Sequence, residues 1–434
     1  MSRRRVPRLL TNGAVQVSLI VIAVVGFVVV SVAKTTYYKP GRIERSEVGR
    51  AGFASGFTVA VVWPDRSEAD FVNGVEFAVE ELNAAHAPLS NKIHLKFVPE
   101  TNANATQVAR DVVADPRVVV AIGHEISPIA ASITYQNHGV LFVAPKSTNP
   151  HLTTHDFDYV FRLTPTDEEL ADAITRFALE RGWTRVGVLV GRNDHGDTAL
   201  RQFQIQAAEQ GLEVVFAQSY AEEPDWSVQD FRPMIAAIRK QKFDAILFAD
   251  VLPWAGKVLK DMQEMGLTEP IIATDKLDEK SLWAIAGTAA NGLYVTSAVD
   301  PNSQLGQYVG FRARFRKRFG EDPDYGAAQG YEALMLIANA ATMSKSADPL
   351  VLSTTLRTNK WNGLFGPFSF DHNGDVLNRE LTLKRMQDGI FYTEDSLIGQ
   401  KDDTDPMTEE EQDKPAERPT APPATAAPAT PARK

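Results

Sequence analysis

Three hydroxyl side chains lie where buried segments of the sequence end, and their positions suit the binding of a small anion. Ser127 precedes a predicted helix that has Pro128 in its first turn, and Ser147 and Thr148 follow the apolar run at 140–143. A helix N-terminus offers unpaired N–H groups and the positive end of the helix dipole. The three residues therefore predict a site for a small carboxylate. Ser127 and Ser147 could equally act only as helix caps, and these positions alone leave both interpretations open.

Two strand–helix series must position these hydroxyls. Residues 57–165 alternate apolar strands with helices whose apolar residues recur every three or four positions, and residues 166–298 repeat the alternation. Strands that alternate with helices in this way form parallel sheets. The sequence thus predicts an α/β fold of two doubly wound lobes with parallel central sheets. Ligands of such sheets bind beyond the carboxyl ends of the strands, where all three hydroxyls fall.

The composition excludes several kinds of protein. The 434 residues carry 45 Lys and Arg against 55 Asp and Glu, a formal charge of −10, which argues against a nucleic-acid-binding surface. There is no cysteine, so disulfides, thiolate metal sites, a cysteine nucleophile and a lipidated cysteine are excluded. No dinucleotide-binding or phosphate-binding glycine motif, nucleophile elbow, zinc-protease motif or calcium loop occurs, so no cofactor is predicted. His124 and Glu125 are adjacent and do not form a set of metal ligands.

The two ends of the chain differ from the strand–helix series. Residues 1–13 are basic, and the next segment, 14–33, is uncharged, apolar and about 20 residues long, enough to cross a membrane. We predict a transmembrane anchor or uncleaved signal here, with cleavage near Ala33 as the alternative. Residues 34–55 are predicted to be a basic linker. The tail at 399–434 is acidic and then rich in proline and alanine, which predicts disorder.

Short segments along the chain combine into a recognisable pattern. They are GVEFAVEELN at 74–83, Ile122-Gly123-His124 ahead of Ser127, Pro145-x-x-Thr148-Asn149-Pro150, Phe161-Arg162, and Gly366-Pro367 with Phe370-Asp371-x-x-Gly374-Asp375. In this combination the sequence resembles the type I periplasmic binding proteins, and most closely the leucine/isoleucine/valine-binding branch of amino-acid transport receptors. The resemblance covers roughly residues 57–395 and leaves out the predicted anchor and tail.

This resemblance implies two lobes that are joined by three chain crossings and close on a ligand about a hinge. The first lobe would comprise residues 57–165 and 299–364, and the second lobe residues 166–298 and 365–395. The family also implies a receptor of the bacterial envelope without catalytic activity, which presents its ligand to an ABC-type permease.

Matching positions imply a site for an α-amino acid. The family's serine at a helix start, which holds the α-carboxylate, matches Ser127. Its threonine after the fourth strand, which contacts carboxylate and amine, matches Thr148, with Ser147 beside it. Its acidic residue near the amine matches Asp275. A carboxylate of this kind suits an ammonium group because charge-assisted hydrogen bonds are strong.

Other positions depart from the family. His195 replaces the tyrosine that covers the ligand, Glu125 stands at the apolar side-chain pocket, Lys146 precedes the two hydroxyls, and Trp63 ends the first strand. These departures favour a polar amino acid, or a related small amide or carboxylate, over an aliphatic ligand. Each of these four side chains could instead lie in the core or point into solvent.

The sequence therefore predicts a solute-binding protein in the periplasm that is held at the inner membrane by its N-terminal helix, or secreted after cleavage. One alternative is a membrane-anchored ligand sensor or envelope scaffold of the same fold that does not transport. Another is a small-amide hydrolase in which Ser127 and His195 face each other across the cleft, although no residue is identified that would orient the histidine. Partnership with nucleic acid is not expected.

Overall fold

The computed structural model describes residues 41–64 and 70–397. The predicted anchor at 14–33 and the predicted tail at 399–434 lie outside the described residues. Within the ranges described, no helix is both long and apolar enough to cross a membrane.

Strands and helices alternate along most of the described chain. The strands are β1 (Phe57–Trp63), β2 (Ile93–Pro99), β3 (Val118–Gly123), β4 (Leu141–Ala144), β5 (Val160–Arg162), β6 (Arg185–Gly191), β7 (Glu213–Tyr220), β8 (Ala245–Ala249), β9 (Ile271–Ala273), β10 (Tyr294–Ser297), β11 (Trp361–Gly363), β12 (Gly366–Phe370), β13 (Val376–Leu377), β14 (Leu381–Gln387) and β15 (Ile390–Leu397). The helices are α1 (Arg42–Ser55), α2 (Asp70–Ala84), α3 (Ala105–Val113), α4 (Pro128–His138), α5 (Asp167–Glu180), α6 (Asp194–Gln210), α7 (Arg232–Ile238), α8 (Trp254–Glu264), α9 (Ser281–Ala286), α10 (Gly306–Phe319), α11 (Tyr325–Ser344) and α12 (Pro349–Thr358).

The first lobe has a five-stranded parallel sheet with the order β2-β1-β3-β4-β5. Strands β3 and β4 are buried throughout, because their runs of valine, leucine, phenylalanine and alanine lie between apolar layers on both faces of the sheet. The strand order changes direction between β1 and β3. A crevice therefore opens beyond the carboxyl ends of these two strands.

The second lobe repeats this arrangement. Its sheet has the order β7-β6-β8-β9-β10-β14-β15, and the five strands from β6 to β10 are parallel and ordered as in the first lobe. Strands β14 and β15 extend the sheet in antiparallel pairing. The predicted pair of doubly wound lobes is confirmed, and each lobe presents its strand ends to the other.

The closing hairpin requires a correction to the predicted lobe boundaries. We assigned residues 365–395 to the second lobe, but β11, β12 and β13 form a separate antiparallel sheet whose Phe368, Phe370 and Val376 belong to the core of the first lobe. Only β14 and β15 enter the second sheet. The last crossing between the lobes therefore lies near 378–380, because the apolar face of the hairpin covers the first core rather than the second.

The predicted linker at 34–55 also requires a correction, because residues 42–55 form helix α1. This helix is buried through Arg45, Gly49 and Gly52 rather than through an apolar stripe. The Arg45 guanidinium is fully buried and donates to the carbonyl oxygens of Val118 at 2.6 Å and His138 at 2.7 Å. A Cβ on Gly49 would lie 2.5 Å from the Ala347 carbonyl oxygen, so glycine permits the close approach. These contacts dock α1 on the first lobe.

Candidate functional site

The predicted site residues lie at the carboxyl ends of strands in both lobes. Trp63 ends β1, Glu125 follows β3, and Lys146 follows β4, while His195 and Asp275 follow β6 and β9 in the second lobe. Because parallel strands end at one edge of their sheet, both sets of side chains converge on the cleft between the lobes.

Ser127 lies at the start of α4, but its hydrogen bonds go to groups of the protein itself, the Glu100 carboxylate and the carbonyl oxygen of Ala105. Its hydroxyl donates to Oε1 of Glu100 at 2.6 Å, and its N–H donates to the same oxygen at 3.2 Å. The N–H of Ile126 donates to the second oxygen of Glu100 at 2.9 Å. Glu100 is fully buried after β2, so in this structure its carboxylate occupies the anion site that the sequence predicts for a ligand.

A histidine and a tyrosine complete this buried network. Nδ1 of His124 lies 2.8 Å from Oε1 of Glu100, and its Nε2 lies 2.7 Å from the Tyr135 hydroxyl. Burial alone would raise the pKa of Glu100, but the hydrogen bonds from His124, Ser127 and Ile126 hold it below its ordinary value. His124 and Glu100 thus orient the helix start. No motif in the sequence reveals this role of Glu100.

Lys146 reaches the floor of the cleft. Its side chain is 4% exposed, and its ammonium lies 2.9 Å from Oε1 of Glu279 in the second lobe and 3.9 Å from Glu125 in the first lobe. The ammonium also lies 5.5 Å from the ring centre of Trp63 and 5.9 Å from that of Tyr325, within cation–π range. Burial would lower the pKa of Lys146, but the carboxylates of Glu125 and Glu279 hold it well above its ordinary value.

A second lysine crosses the cleft in the opposite direction. Lys276, from the turn after β9, donates to Oε1 of Glu125 at 2.8 Å and to the carbonyl oxygen of Lys146 at 3.1 Å. Lys280, further along the same segment, lies 3.2 Å from Asp70 and 3.1 Å from Glu321 of the first lobe. The segment 275–280 therefore docks on the first lobe through its charges. The sequence predicts Asp275 as a site residue in this segment. It does not reveal that Lys276 and Lys280 bond to the first lobe.

Asp275 is 1% exposed, and neither of its carboxylate oxygens has a hydrogen-bond partner. Burial, assisted by the charge of Asp167, raises its pKa to about 7, although Lys276 and Lys146 oppose the rise. Asp167 begins α5, is also buried, and leaves its Oδ2 unpaired. Its N–H donates to the carbonyl oxygen of Thr148 at 2.8 Å, which brings the predicted threonine beside these two carboxyl groups.

His195 lies in the second-lobe wall, where its Nε2 is 2.8 Å from the Thr274 hydroxyl. Burial and the nearby Lys276 lower its pKa to about 3, although Glu125 opposes the shift, so the ring is neutral near pH 7. Ser127 and His195 each bond to other groups and do not form a nucleophile–base pair. The geometry of an amide hydrolase is therefore not present at these two residues.

Arg162, at the end of β5, fixes the loop that carries Ser147 and Thr148. Its fully buried guanidinium donates to the carbonyl oxygens of Ser147 at 3.2 Å and Asn149 at 2.9 Å, and to Asp375 at 2.7 Å. The Arg162 N–H donates to the carbonyl oxygen of Gly374 at 2.9 Å. The Phe-Arg pair and the closing hairpin of the sequence pattern thus act together to position the loop.

The structure brings most of the predicted residues together. Trp63, Glu125, Lys146, Thr148, His195 and Asp275 are linked by direct contacts or by charge interactions across the cleft, and Ser147 is held in the same loop. Ser127 belongs to the neighbouring Glu100 network. Sequence reasoning missed Glu100, Asp167, Lys276, Glu279 and Tyr325. Within residues 41–64 and 70–397, no group of three or more His, Asp or Glu side chains could hold a metal ion.

Comparisons with known proteins agree with this architecture. The Leucine-specific-binding protein of Salmonella typhimurium is 24% identical over 340 residues, which are 74% of this chain and 84% of that protein. The Leu/Ile/Val-binding protein of Escherichia coli is 25% identical over 328 residues, 73% of this chain and 84% of that protein. An ABC transporter substrate-binding protein from Desulfitobacterium hafniense, solved in complex with Leu, superposes with a TM-score of 0.68 at 27% identity. That superposition covers 78% of this chain and 100% of the other.

The family model described as "Periplasmic binding protein" matches residues 59–389, and so extends through both lobes and the hairpin between them. The match includes both lysines that cross the cleft and the segment that carries Asp275. The chain belongs to the periplasmic binding protein family.

Proposed function

We propose that this protein is an extracytoplasmic solute-binding protein that closes on a small polar ligand, an amino acid or a related amide or carboxylate, and delivers it to an ABC-type permease. The observation that carries the proposal is the Asp275 carboxyl, whose two oxygens are buried in the cleft without partners. Buried polar groups without partners are rare and costly, and a ligand amino group would supply the missing hydrogen bonds. The protein binds its ligand and does not convert it chemically.

The ligand-contacting residues follow from this placement. Asp275 would accept hydrogen bonds from the amino group, and the hydroxyls of Ser147 and Thr148 would contact the polar end of the ligand. Trp63, Glu125, Lys146 and His195 would line the cleft and set its polarity. Ser127 gives its hydroxyl to Glu100, so we propose that it orients the start of α4 and reaches a ligand only if that bond exchanges.

The location of the protein is part of the same proposal. Membership of the family implies a periplasmic protein. We propose that the apolar segment 14–33 anchors the chain in the inner membrane and keeps the binding lobes near the permease. Cleavage near Ala33 would instead release the protein from the membrane. The two alternatives are distinguished by the mass of the mature protein and by whether it is found in the membrane fraction.

A thermal-shift screen of the full chain tests the proposed function. The panel consists of amino acids, small amides and small carboxylates, because a ligand that binds only the folded state raises the melting temperature. A hit that is lost in Asp275→Asn and retained in Glu213→Gln, a variant at an exposed surface carboxylate, supports the proposal. A folded protein that no compound stabilises contradicts it.

One observation favours a second candidate, a membrane-anchored sensor or scaffold without a transport role. The lobes are joined by ion pairs between their own side chains, Lys276 with Glu125 and Lys146 with Glu279. A protein held closed in this way could signal its state without releasing a ligand. Ligand-dependent stimulation of a permease in reconstituted membranes would argue for transport, and its absence despite ligand binding would argue for the sensor.

A further inference from the structure

The buried polar atoms without partners around the cleft are all hydrogen-bond acceptors. They are both oxygens of Asp275, Oδ2 of Asp167, Oε2 of Glu125 and Oε1 of Gln329. Gln329 lies on α11 one turn from Tyr325, and its amide nitrogen already donates to the carbonyl oxygen of Pro145 at 2.6 Å. A group that completes these bonds must be rich in N–H or O–H donors.

Several of the donors that face the cleft are already used. The N–H groups at the start of α4 and the Ser127 hydroxyl bond to Glu100. Lys146 is paired with Glu279, and Lys276 with Glu125. At these donors a ligand carboxylate would have to displace an internal carboxylate, whereas a ligand cation would meet acceptors that have no partner.

The formal charges of the cleft point the same way. Four carboxyl groups, those of Glu125, Asp167, Asp275 and Glu279, surround two ammonium groups, those of Lys146 and Lys276, which gives 2 − 4 = −2 when every carboxyl is ionised and −1 when Asp275 is protonated. His195 adds no charge near pH 7 because its pKa is lowered to about 3 by burial. A zwitterionic ligand leaves this excess unchanged, and a ligand with a net positive charge offsets it.

We infer that the ligand of this cleft is a small organic cation, a compound whose ammonium or guanidinium groups outnumber its carboxylates, such as a basic amino acid or a diamine. This inference rests on the proposed function and narrows it to one class of solute. Asp275 and Asp167 are the specificity-determining residues, because together they offer the unpaired carboxylate oxygens. Lys146 and Lys276 then act as internal cations that pair with Glu279 and Glu125 and leave the unpaired oxygens of the two aspartates to the ligand.

Isothermal titration of the full chain with matched probes tests the inference. The cationic probes are arginine, lysine and 1,4-diaminobutane, and the comparison probes are leucine, glutamine and glutamate, all at the same ionic strength. We expect at least one cation to bind about tenfold or more tightly than every zwitterionic or anionic probe. Asp275→Asn and Asp167→Asn should each weaken that binding by about tenfold or more, while Glu213→Gln leaves it unchanged.

A second measurement is the number of protons that the protein releases when the ligand binds. Lys276, Asp167, Lys146, Glu125 and the Tyr325 ring surround Asp275, whose pKa is raised to about 7. At pH 6 the free carboxyl is mostly protonated, and a bound cation favours its ionised form, so binding should release protons. Titration in two buffers with different ionisation enthalpies measures this release. We expect release in the natural protein and clearly less in Asp275→Asn.

Three results overturn the inference. Tighter binding of leucine or glutamine than of every cation would contradict it and leave the proposed function standing. Absence of binding by all six probes would contradict both. Proton release that persists unchanged in Asp275→Asn would show that Asp275 does not meet the cation. Circular dichroism and the melting temperature of each variant establish that a loss of binding is not a loss of folding.

Discussion

Lys276 of the second lobe donates to Glu125 of the first lobe at 2.8 Å, across the cleft in which a ligand would bind. Both side chains are shielded from solvent, at 10% and 21% exposure, so this ion pair is screened less than one on the surface. The same Nζ also donates to the backbone of Lys146. One side chain thus bonds to two segments of the opposite lobe.

Lys276→Gln should shift the lobes toward an open arrangement. Loss of the charged hydrogen bonds removes about 1.5–3 kcal/mol from the closed state, while the residue remains polar and similar in length. The measurement is the distance between fluorophores placed on the two lobes, in the absence of ligand. Arg232→Gln, at an exposed ion pair within the second lobe, is the matched control. An unchanged distance distribution in Lys276→Gln would show that the pair does not hold the lobes together.

Arg162→Met should lower the stability of the first lobe by about 3–5 kcal/mol, because it removes a fully buried guanidinium and leaves Asp375 and two carbonyl oxygens without their donor. Urea unfolding gives the free energy, and its slope checks that the unfolding remains cooperative. Arg117→Met, in the same lobe but on the surface, should change little. A small effect of Arg162→Met would mean that the loop 147–149 does not need this anchor.

Glu100→Gln should lower stability at pH 7 by about 2 kcal/mol, since the carboxylate accepts charge-assisted bonds at the start of α4. The folded pKa is lowered, so the ionised group stabilises the fold above its ordinary pKa of 4.5, and the contribution is lost as the pH falls through the folded value. The difference between natural protein and variant should therefore shrink on acidification. A difference that stays constant between pH 7 and pH 3 would contradict the role of the charge.

His195→Gln should flatten the pH dependence of stability on the acid side. The folded pKa of about 3 lies below the unfolded value of 6.5, so between these values the unfolded chain binds more protons. The natural protein therefore loses stability as the pH falls from 6.5 toward 3, and the variant should lose less. Thermal unfolding at several pH values measures this slope. His372→Gln, at an exposed histidine, should leave the slope of the natural protein unchanged.

The sequence predicts the fold correctly where the apolar residues of a segment both reveal its secondary structure and form its buried face. Apolar strands and amphipathic helices can be recognised from local sequence alone, without knowledge of what they pack against. Their alternation predicts both parallel sheets. Helix α1 is not visible in this way, because it docks through a buried arginine and two glycines. The carbonyl acceptors of Arg45 at Val113, Val118 and His138 lie 68 to 93 residues away in sequence. Residues 365–377 were assigned to the wrong lobe because sequence order does not reveal which core their aromatic residues cover.

In the candidate site, too, the sequence locates some residues and misses others. Trp63, Thr148, His195 and Asp275 are found at strand ends, which pattern and resemblance locate. Glu100 was missed because an acidic residue after a half-buried strand has no distinctive pattern. The partners of Lys146 and Lys276 belong to the opposite lobe, and only the folded chain brings those charges together.

The docking of α1 decides which lobe can move relative to the membrane. Under the proposed anchor at 14–33, only residues 34–41 separate the apolar segment from the first turn of α1, and eight residues reach at most roughly 30 Å. The first lobe is then held close to the bilayer, and the second lobe moves relative to it. A membrane partner would detect the bound state from the position of the second lobe, rather than from the approach of a freely diffusing receptor.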